Sequence, residues 1–398
     1  MTPNERNILT TTCFGHFLSH FNMLFFPALV IPLTRIYSLE LPSVIALSFW
    51  MYMLFGLTAL PWGLLSDRYG PKPLLLIFYS GAGLSALAAG FLLDSPWLFS
   101  ASLAGVGLFS GIYHPAGLGL ITKGISKMSM ALGYNGMAGN LGLALAPILA
   151  GVINYFSGPK AAFLFLGGLN LLGALVMLML PVAEAQTASQ EKASPYQGLL
   201  IGFCVLCLCI VLQGLTYRGT SVILPTYFEM KNEGLYRYLN ELRGLLSSKN
   251  VAATALTSIV YFVGIFGQFL GGWTAQRFDP RKAYLAFHSL SIPMVLLMAY
   301  TTDIPLILVS MVYLLFLLGM QPIENTLIAQ LSPEKLRHSA YGVKFILSFG
   351  VGALAVFLVG WVESVWSLPA VFIAMSLATC LLVLFILLLF AVTRDKKA

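Results

Sequence analysis

Long apolar stretches with few charges recur along the whole chain, and they constrain its fold more than any other feature. A helix of about twenty such residues crosses the ~30 Å hydrocarbon core of a bilayer. Twelve stretches of this kind are predicted, near 8–34, 43–65, 73–93, 96–122, 130–156, 160–181, 197–228, 251–275, 282–301, 304–330, 339–361 and 366–391. We therefore expect an all-α membrane protein with 12 transmembrane helices.

The amino-acid composition is that of a chain embedded mostly in lipid. Of its 398 residues, 58% are hydrophobic and 9% charged, whereas soluble domains are about 25% charged. The net charge of +7 is not gathered into a basic run, which argues against nucleic acid as a partner. Five cysteines lie in apolar stretches without zinc or disulfide spacing. We expect no cofactor and no metal.

One polar segment divides the chain into two halves. Residues 182–196 are rich in Ala, Ser, Gln and Glu, as expected of a solvated linker. The predicted organisation is a six-helix bundle over 1–182, a cytoplasmic linker over 183–196 and a second six-helix bundle over 197–398. Lys and Arg are concentrated in the loops on one side, so both termini are predicted to face the cytoplasm. Residues 229–250 are expected to form either an outer lid or a plain connector containing a short interfacial helix.

The two halves are related by an internal repeat. The stretch from Gly63 to Lys72 aligns with 272–281 at a spacing of 209 residues, and the same spacing superposes Gly133 on Gly342 and Gly151 on Gly360. Duplicated, pseudo-symmetric bundles place a solute path between the halves.

The loop after the second span resembles the signature loop of the major facilitator superfamily, and the resemblance covers essentially the whole chain. In this loop an Asp and an Arg at a helix end can form a latch that breaks when the halves rock. The alternative is a simple positive-inside anchor. Pro71 departs from the family pattern. The latch residues are Gly63, Asp67, Arg68, Gly70 and Lys72, with Arg277 in the second half.

The fifth span is similar to the antiporter-associated motif of that superfamily, with two glycines replaced by alanine. Its small residues and proline are Gly133, Gly142, Ala146, Pro147 and Gly151. The motif implies export in exchange for protons, although tight helix packing alone would explain it. The fourth span, around Tyr113 and His114, looks like the fosmidomycin-resistance branch, as does the first span around His16 and His20.

Ionisable residues inside apolar spans are candidate functional groups, because a charge at mid-helix costs about 2.5–3.5 kcal/mol. Glu324 and Lys344 are predicted at matching depth on consecutive helices, which makes an ion pair plausible. Proton binding to Glu324 would then release Lys344, unless the pair is purely structural. Arg218, in the outer part of the seventh span, can hold an anion bidentately or bond to a backbone carbonyl or lipid headgroup. Pro225 suggests an irregular helix there.

Histidines and amides complete the predicted pathway. His16 and His20 are four residues apart and share a helical face, and His114 is expected in the same cavity. Two such histidines without a carboxylate are weak evidence for a metal, so proton or pore roles are preferred. The remaining pathway candidates, each of which could instead be helix glue, are Asn22, Asn135, Gln213, Gln321 and Asn325.

These features together predict a secondary transporter, not an enzyme. We find no nucleophile elbow, phosphate loop or metal cluster in the sequence. The expected protein is a monomeric, multi-pass protein of a bacterial inner membrane that exports a small organic, anionic solute in exchange for protons. Import of a metabolite with protons, or a non-transporting receptor on the same scaffold, remain alternatives.

Overall fold

The computed structural model describes residues 1–126, 128–183, 199–241, 248–332 and 337–393. All of the predicted linker except residue 183 lies outside these ranges. Spans are numbered in chain order from here on. Span 1 consists of Pro3–Phe25, Phe26–Leu29 and Val30–Tyr37, and span 2 of Leu41–Ala46, Phe49–Leu57 and Ala59–Tyr69. Span 3 is Pro71–Phe91, and span 4 consists of Pro96–Ser110 and Tyr113–Gly124. Spans 5 and 6 both lie in Met128–Met179.

The second half repeats this pattern. Spans 7, 8, 9 and 10 are Leu199–Lys231, Lys249–Arg277, Pro280–Met298 and Asp303–Leu331, respectively. Span 11 consists of Arg337–Phe345, Ile346–Gly350, Val351–Leu354 and Ala355–Val365, and span 12 is Leu368–Val392. Between spans 7 and 8 lies the short helix Glu233–Glu241. This helix falls within the loop where a short interfacial helix was expected.

Twelve crossings follow from the helix lengths. Within the described ranges, nine helices are long and apolar enough to span a bilayer, and the pair Leu41–Leu57 and Ala59–Tyr69, bent by 44°, makes a tenth. The apolar stretch Ala131–Met179 has 49 residues, and at 1.5 Å per residue this far exceeds one crossing. It breaks at Gly158, whose φ is +78°, and so supplies two spans. Pro280–Met298 is the remaining crossing, and the predicted 12-helix, two-bundle fold is confirmed.

Helix packing relies on glycines that let backbones touch. A Cβ atom on Gly271 of span 8 would lie 1.7 Å from the carbonyl oxygen of Gly319 in span 10. A Cβ on Gly107 of span 4 would lie 1.9 Å from the carbonyl oxygen of Met51 in span 2. In lipid, where apolar burial no longer drives association, close contacts of this kind hold helices together.

The predicted repeat places equivalent glycines at equivalent seams between the bundles. Gly151 of span 5 faces Thr254 of span 8, and a Cβ there would lie 2.1 Å from the threonine hydroxyl. The residue equivalent to Gly151 in the repeat is Gly360 of span 11. A Cβ on Gly360 would lie 3.3 Å from the Cβ of Pro42 in span 2. Spans 5 and 8 on one side, and spans 2 and 11 on the other, therefore form the two seams between the halves.

Two sides of the molecule can be distinguished by their contacts. On the termini side, the Asn4 amide donates to the Ala183 carbonyl (3.0 Å), and Arg281 donates to the Thr393 carbonyl (3.1 Å). The loop side carries Glu229 and Lys249, which flank the short helix between spans 7 and 8.

A glycine exchange tests the backbone packing. Gly271→Ala is expected to lower the thermal unfolding temperature in detergent, because overpacking of this kind costs about 1–3 kcal/mol. Gly168→Ala is the matched control, since nothing lies within 4 Å of a Cβ built there. Equal unfolding temperatures for the two variants would contradict the packing described here.

Candidate functional site

A buried arginine occupies the middle of the molecule. Arg218 is only 1% exposed and lies three residues beyond the midpoint of Leu199–Lys231. Its guanidinium carbon sits 3.6 Å from the ring centroid of Tyr52 in span 2, so this cation–π contact joins the two halves. The helix is continuous through Pro225, so the irregular outer helix expected around Arg218 is absent.

No carboxylate neutralises this arginine within the described parts of the chain. Its side chain donates from Nη1 to the Ser221 hydroxyl, at 3.5 Å, and also interacts with the Tyr52 side chain, while its Nε is buried without an acceptor. A guanidinium has five N–H donors, so most of its bonding capacity is unused. Such a group is suited to receive an anionic ligand.

Aromatic residues surround Arg218. Tyr217 has its ring centroid 5.6 Å from the guanidinium carbon. Tyr261 of span 8 is 1% exposed, its hydroxyl has no hydrogen-bond partner, and it is an electrostatic neighbour of Arg218. Phe55 and Phe349 meet edge to face across the seam between spans 2 and 11, with centroids 5.1 Å apart. The arginine therefore lies in an aromatic setting with an unused hydroxyl.

The three histidines predicted for the first half come together. His16 Nε2 and His20 Nε2 are 3.0 Å apart, and His16 Nδ1 lies 2.8 Å from the carbonyl oxygen of Asn135 in span 5. His114 of span 4 is 6% exposed, and its Nε2 has no partner. One ring nitrogen from each histidine lies within 4.8 Å of the others. The argument against a metal from two histidines alone therefore no longer applies.

Asn135 positions this cluster as well as taking part in it. Its side-chain nitrogen donates to the Tyr113 hydroxyl at 2.7 Å, and that hydroxyl donates its one proton to the Thr12 carbonyl at 2.8 Å. The Tyr113 ring stacks on His16, with centroids 5.0 Å apart. These bonds link spans 1, 4 and 5 around the imidazoles.

The second half contains a buried ion pair. Lys344 Nζ lies 3.0 Å from Glu324 Oε1, and Lys344 also donates to the side-chain oxygen of Asn325. The Tyr284 hydroxyl of span 9 donates to Glu324 Oε2 at 2.8 Å. Glu324 is fully buried and Lys344 is 8% exposed. Lys344 lies two residues before a π-helical segment, Ile346–Gly350, an irregularity that often marks a functional position.

The loop side is tied across the bundles by Asn250 at the start of span 8. Its side-chain nitrogen donates to the Ala28 carbonyl at 3.1 Å and to Glu229 at 2.9 Å, and its oxygen accepts from Asn154 at 3.2 Å. Glu229 also pairs with Arg35 at 3.7 Å. Residues of spans 1 and 5 are thus bonded to residues of spans 7 and 8, which holds the halves together on this side.

The predicted latch residues lie towards the ends of spans 2 and 8, except Lys72, which lies in the first turn of span 3. Span 2 ends at Gly70, whose φ of +87° is a conformation that glycine tolerates, and Gly63 packs near Pro115 of span 4. Arg68 lies over Tyr69 (5.2 Å) and Arg277 over Trp273 (4.6 Å). Asp67 and Lys72 also have interaction partners.

The predicted packing motif is only partly used in contacts. A Cβ on Gly142 would lie 2.2 Å from the carbonyl oxygen of Phe17 in span 1, whereas nothing lies within 4 Å of one on Gly133. Ala146 is buried. The residue after Pro147 donates its backbone N–H to Ser258 of span 8 at 3.0 Å. The motif, together with Gly151, therefore packs span 5 against spans 1 and 8.

Several predicted amides bond to other helices instead of converging on Arg218. Asn22 donates to the Ser110 hydroxyl (2.9 Å) and exchanges bonds with Asn170 (2.8 and 3.1 Å), so it links spans 1, 4 and 6 within the first bundle. Gln321 accepts from Gln268 at 3.0 Å. Gln213 is buried one residue before Gly214, which packs on Ser348 of span 11.

Sequence reasoning missed residues whose importance comes from contacts between the halves. Tyr52 was not singled out, because one tyrosine in an apolar span carries no pattern of its own. Glu229 and Asn250 mark the ends of the loop that was considered as a lid, but the spacing does not show that Asn250 reaches Ala28.

The fold and these sites define the class of the protein: a multi-pass membrane transporter with polar groups buried between two helical bundles. The sequence model of the Major Facilitator Superfamily matches residues 12–342 and 206–398. The chain belongs to this family, and the predicted family assignment is confirmed, as is the expectation that the protein is a transporter and not an enzyme.

Relatives agree with this assignment at low identity. The multi-drug resistance efflux pump PmrA of Streptococcus pneumoniae is 28% identical over 142 residues, 35% of each chain. The chain therefore matches about a third of the length of this relative. The 4-hydroxybenzoate transporter PcaK of Pseudomonas aeruginosa is 25% identical over 371 residues, 83% of this chain and 79% of PcaK. The likeness to the fosmidomycin-resistance branch stays a prediction.

A solved structure shows the same fold. A bacterial homologue of the human lysosomal transporter Spinster superposes with a TM-score of 0.73 at 15% identity, covering 98% of this chain and 97% of that one.

The hydrogen bonds between Asn22 and Asn170 can be tested by comparing the two single variants with the double variant. Asn22→Ala and Asn170→Ala are each expected to lower stability by about 0.5–2 kcal/mol, since buried partners lose their bonds. The double variant should lose less than the sum of the two. The stability losses are measured by thermal unfolding in detergent. Asn22→Ala is expected to leave the affinity for the transported ligand unchanged. Additive losses, or a loss of affinity, would place Asn22 in the pathway instead.

Proposed function

We propose that this protein is a proton-coupled transporter that exports a small organic anion by alternating access. The observation that carries this proposal is the buried, unneutralised Arg218. A charged side chain near mid-membrane is costly, by about 2.5–3.5 kcal/mol on insertion scales. The Tyr52 ring offsets only part of this cost. A carried anion would complete the site and neutralise the charge while it is bound.

The surroundings suggest an anion with a flat or apolar body. Tyr52 and Tyr217 offer aromatic faces beside the guanidinium, and the nearby Tyr261 hydroxyl, which has no partner, can bond a polar substituent. The name of the relative PcaK states an aromatic acid, 4-hydroxybenzoate, as its substrate. We infer an aromatic or short-chain carboxylate as the preferred class.

The pair of Glu324 and Lys344 is proposed as the proton-coupling site. A proton on Glu324 would cancel its charge and leave Lys344 without its counter-ion, so the pair would be stable in only one protonation state. The helix around Lys344 is irregular, which would allow span 11 to adjust. The proton would then shift the balance between states open to opposite sides.

The direction of transport is proposed as export. The packing of Gly142 and Gly151 follows the antiporter-like motif in span 5, and PmrA is named an efflux pump. The alternative is import of an organic acid, which the likeness to PcaK favours because it extends over more of the chain. The sign of accumulation against a pH gradient separates the two.

The proposed setting is a bacterial inner membrane, with the termini side in the cytoplasm and the protein working as a monomer. The basic residues Arg68, Lys72 and Arg277 lie at span ends on the termini side, as the positive-inside rule requires. Asn250 would then close the outer side in this conformation.

The anion preference is tested with Arg218→Gln and Arg218→Lys. Binding of a panel of aromatic and aliphatic monocarboxylates, each matched with its neutral amide, is measured by calorimetry on the purified chain. We expect the best carboxylate to lose at least about 30-fold in affinity in Arg218→Gln, because a charge-assisted bidentate contact is lost. Arg218→Lys should recover only part of it.

Lys160→Gln is the matched charge control for this experiment, since Lys160 is exposed at the start of span 6 and should not affect binding. Preference for amides or cationic compounds over carboxylates would refute the proposal. So would carboxylate binding that is unchanged in Arg218→Gln.

The coupling site is tested with Glu324→Gln in proteoliposomes. Transport driven by a pH gradient is expected to fall at least about tenfold, while exchange of substrate at equal pH persists, because the amide cannot release a proton. Glu241→Gln, on the short exposed helix, serves as the control. Equal loss of both activities would show that the pair is structural.

A further inference from the structure

The strongest unassigned feature of the molecule is the histidine cluster of the first bundle. His16, His20 and His114 come from spans 1 and 4, and one ring nitrogen of each lies within 4.8 Å of the others. We propose that these three imidazoles form a binding site for a divalent first-row transition-metal ion of the Zn²⁺ type. This inference is separate from the anion site at Arg218.

The hydrogen bonds orient His16 as a metal ligand. A carbonyl oxygen only accepts, so the 2.8 Å contact with Asn135 places the proton of a neutral His16 on Nδ1. Its Nε2 then carries a lone pair that points towards His20 Nε2, 3.0 Å away. In metal sites, a ligand histidine usually donates its other ring N–H to a carboxylate or backbone carbonyl, which fixes the ring orientation, as here.

His114 supplies the independent observation. It is 6% exposed, and its Nε2 has no hydrogen-bond partner, although a buried polar nitrogen normally has one. Its ring stacks on Phe345 of span 11, with centroids 4.8 Å apart, which leaves the nitrogen at the ring edge. The rings of His16 and His20 are both 5.3 Å from that of His114. A metal ion would satisfy this nitrogen together with the other two.

The distances are within reach of a tetrahedral site. Zn–N bonds of about 2.0–2.1 Å put two ligand nitrogens about 3.3 Å apart. The His16 and His20 nitrogens, 3.0 Å apart, are close to this spacing, and a separation of up to 4.8 Å within the cluster has to shorten by up to about 1.5 Å. In the metal-free cluster His20 donates its Nε2 proton to His16, so metal binding requires His20 to move that proton to Nδ1.

The charged side chains near the histidine cluster favour an anionic fourth ligand for the metal ion. Lys344 and Arg218 are electrostatic neighbours of His114 and His20, respectively. The charge of Lys344 is offset by Glu324 at 3.0 Å, whereas Arg218 has no such partner in the described ranges. With three neutral imidazoles and no carboxylate, an anionic fourth ligand such as chloride or hydroxide is expected.

The site is tested on the purified full chain carrying no histidine tag. Zn²⁺ alone is titrated by calorimetry, and Co²⁺ alone is followed by its visible absorption. We expect one Zn²⁺ per chain, tetrahedral Co²⁺ bands, and a rise in unfolding temperature on Zn²⁺ addition, because the ion binds the folded state. His114→Gln and His16→Gln should each weaken Zn²⁺ binding at least about 30-fold and remove the temperature rise.

His288→Gln is the matched control. His288 is also buried with an unpartnered Nε2, but it lies in span 9 and belongs to no three-residue cluster in the described ranges. Its Zn²⁺ affinity should equal that of the unchanged chain, and all variants should elute as the same monodisperse species. Zn²⁺ binding that survives in both His114→Gln and His16→Gln, or thiolate charge-transfer bands with Co²⁺, would overturn the proposal. So would the absence of binding.

Discussion

The cost of placing a charge in hydrocarbon governs the arrangement of this molecule. Only 9% of the residues are charged, and the ionisable groups buried at depth lie between helices, not towards lipid. Arg218 contacts Tyr52 across the seam, Glu324 pairs with Lys344 inside the second bundle, and each is almost completely buried. Since lipid provides no partner for such groups, each must be satisfied by the protein or by what the protein binds.

Glycines make that arrangement possible, because they let the helices approach closely enough to enclose polar groups. At the centre of the seam between spans 2 and 11, a Cβ on Gly56 would lie 2.0 Å from the backbone nitrogen of Gly350. Phe55 and Phe349 pack beside this contact. The seam is therefore a backbone contact flanked by aromatic rings, which suits two rigid bodies that move relative to each other.

The number of spans and the pairing of Glu324 with Lys344 were predictable, because hydropathy, spacing and 1.5 Å of rise per residue determine them. The contacts of Asn22 were not, since a lone amide in an apolar helix looks the same whether it faces a pathway or a neighbour. The same limit applies to Tyr52 and Asn250, which matter through partners more than a hundred residues away. His114 shows the intermediate case: its cavity was expected, but its unpartnered nitrogen emerged only from the packing of three spans.

The two halves share a fold but divide the chemistry between them. The first contributes the imidazoles of His16, His20 and His114, and the second contributes Arg218, Glu324 and Lys344. Because Tyr52 belongs to the first half and Arg218 to the second, rocking of the halves must lengthen or shorten the cation–π contact. An anion that bound the guanidinium as proposed would compete with, or add to, a contact whose length depends on the conformation. Under that proposal, substrate binding and conformational change would be coupled at one residue, as a carrier that alternates between two states requires.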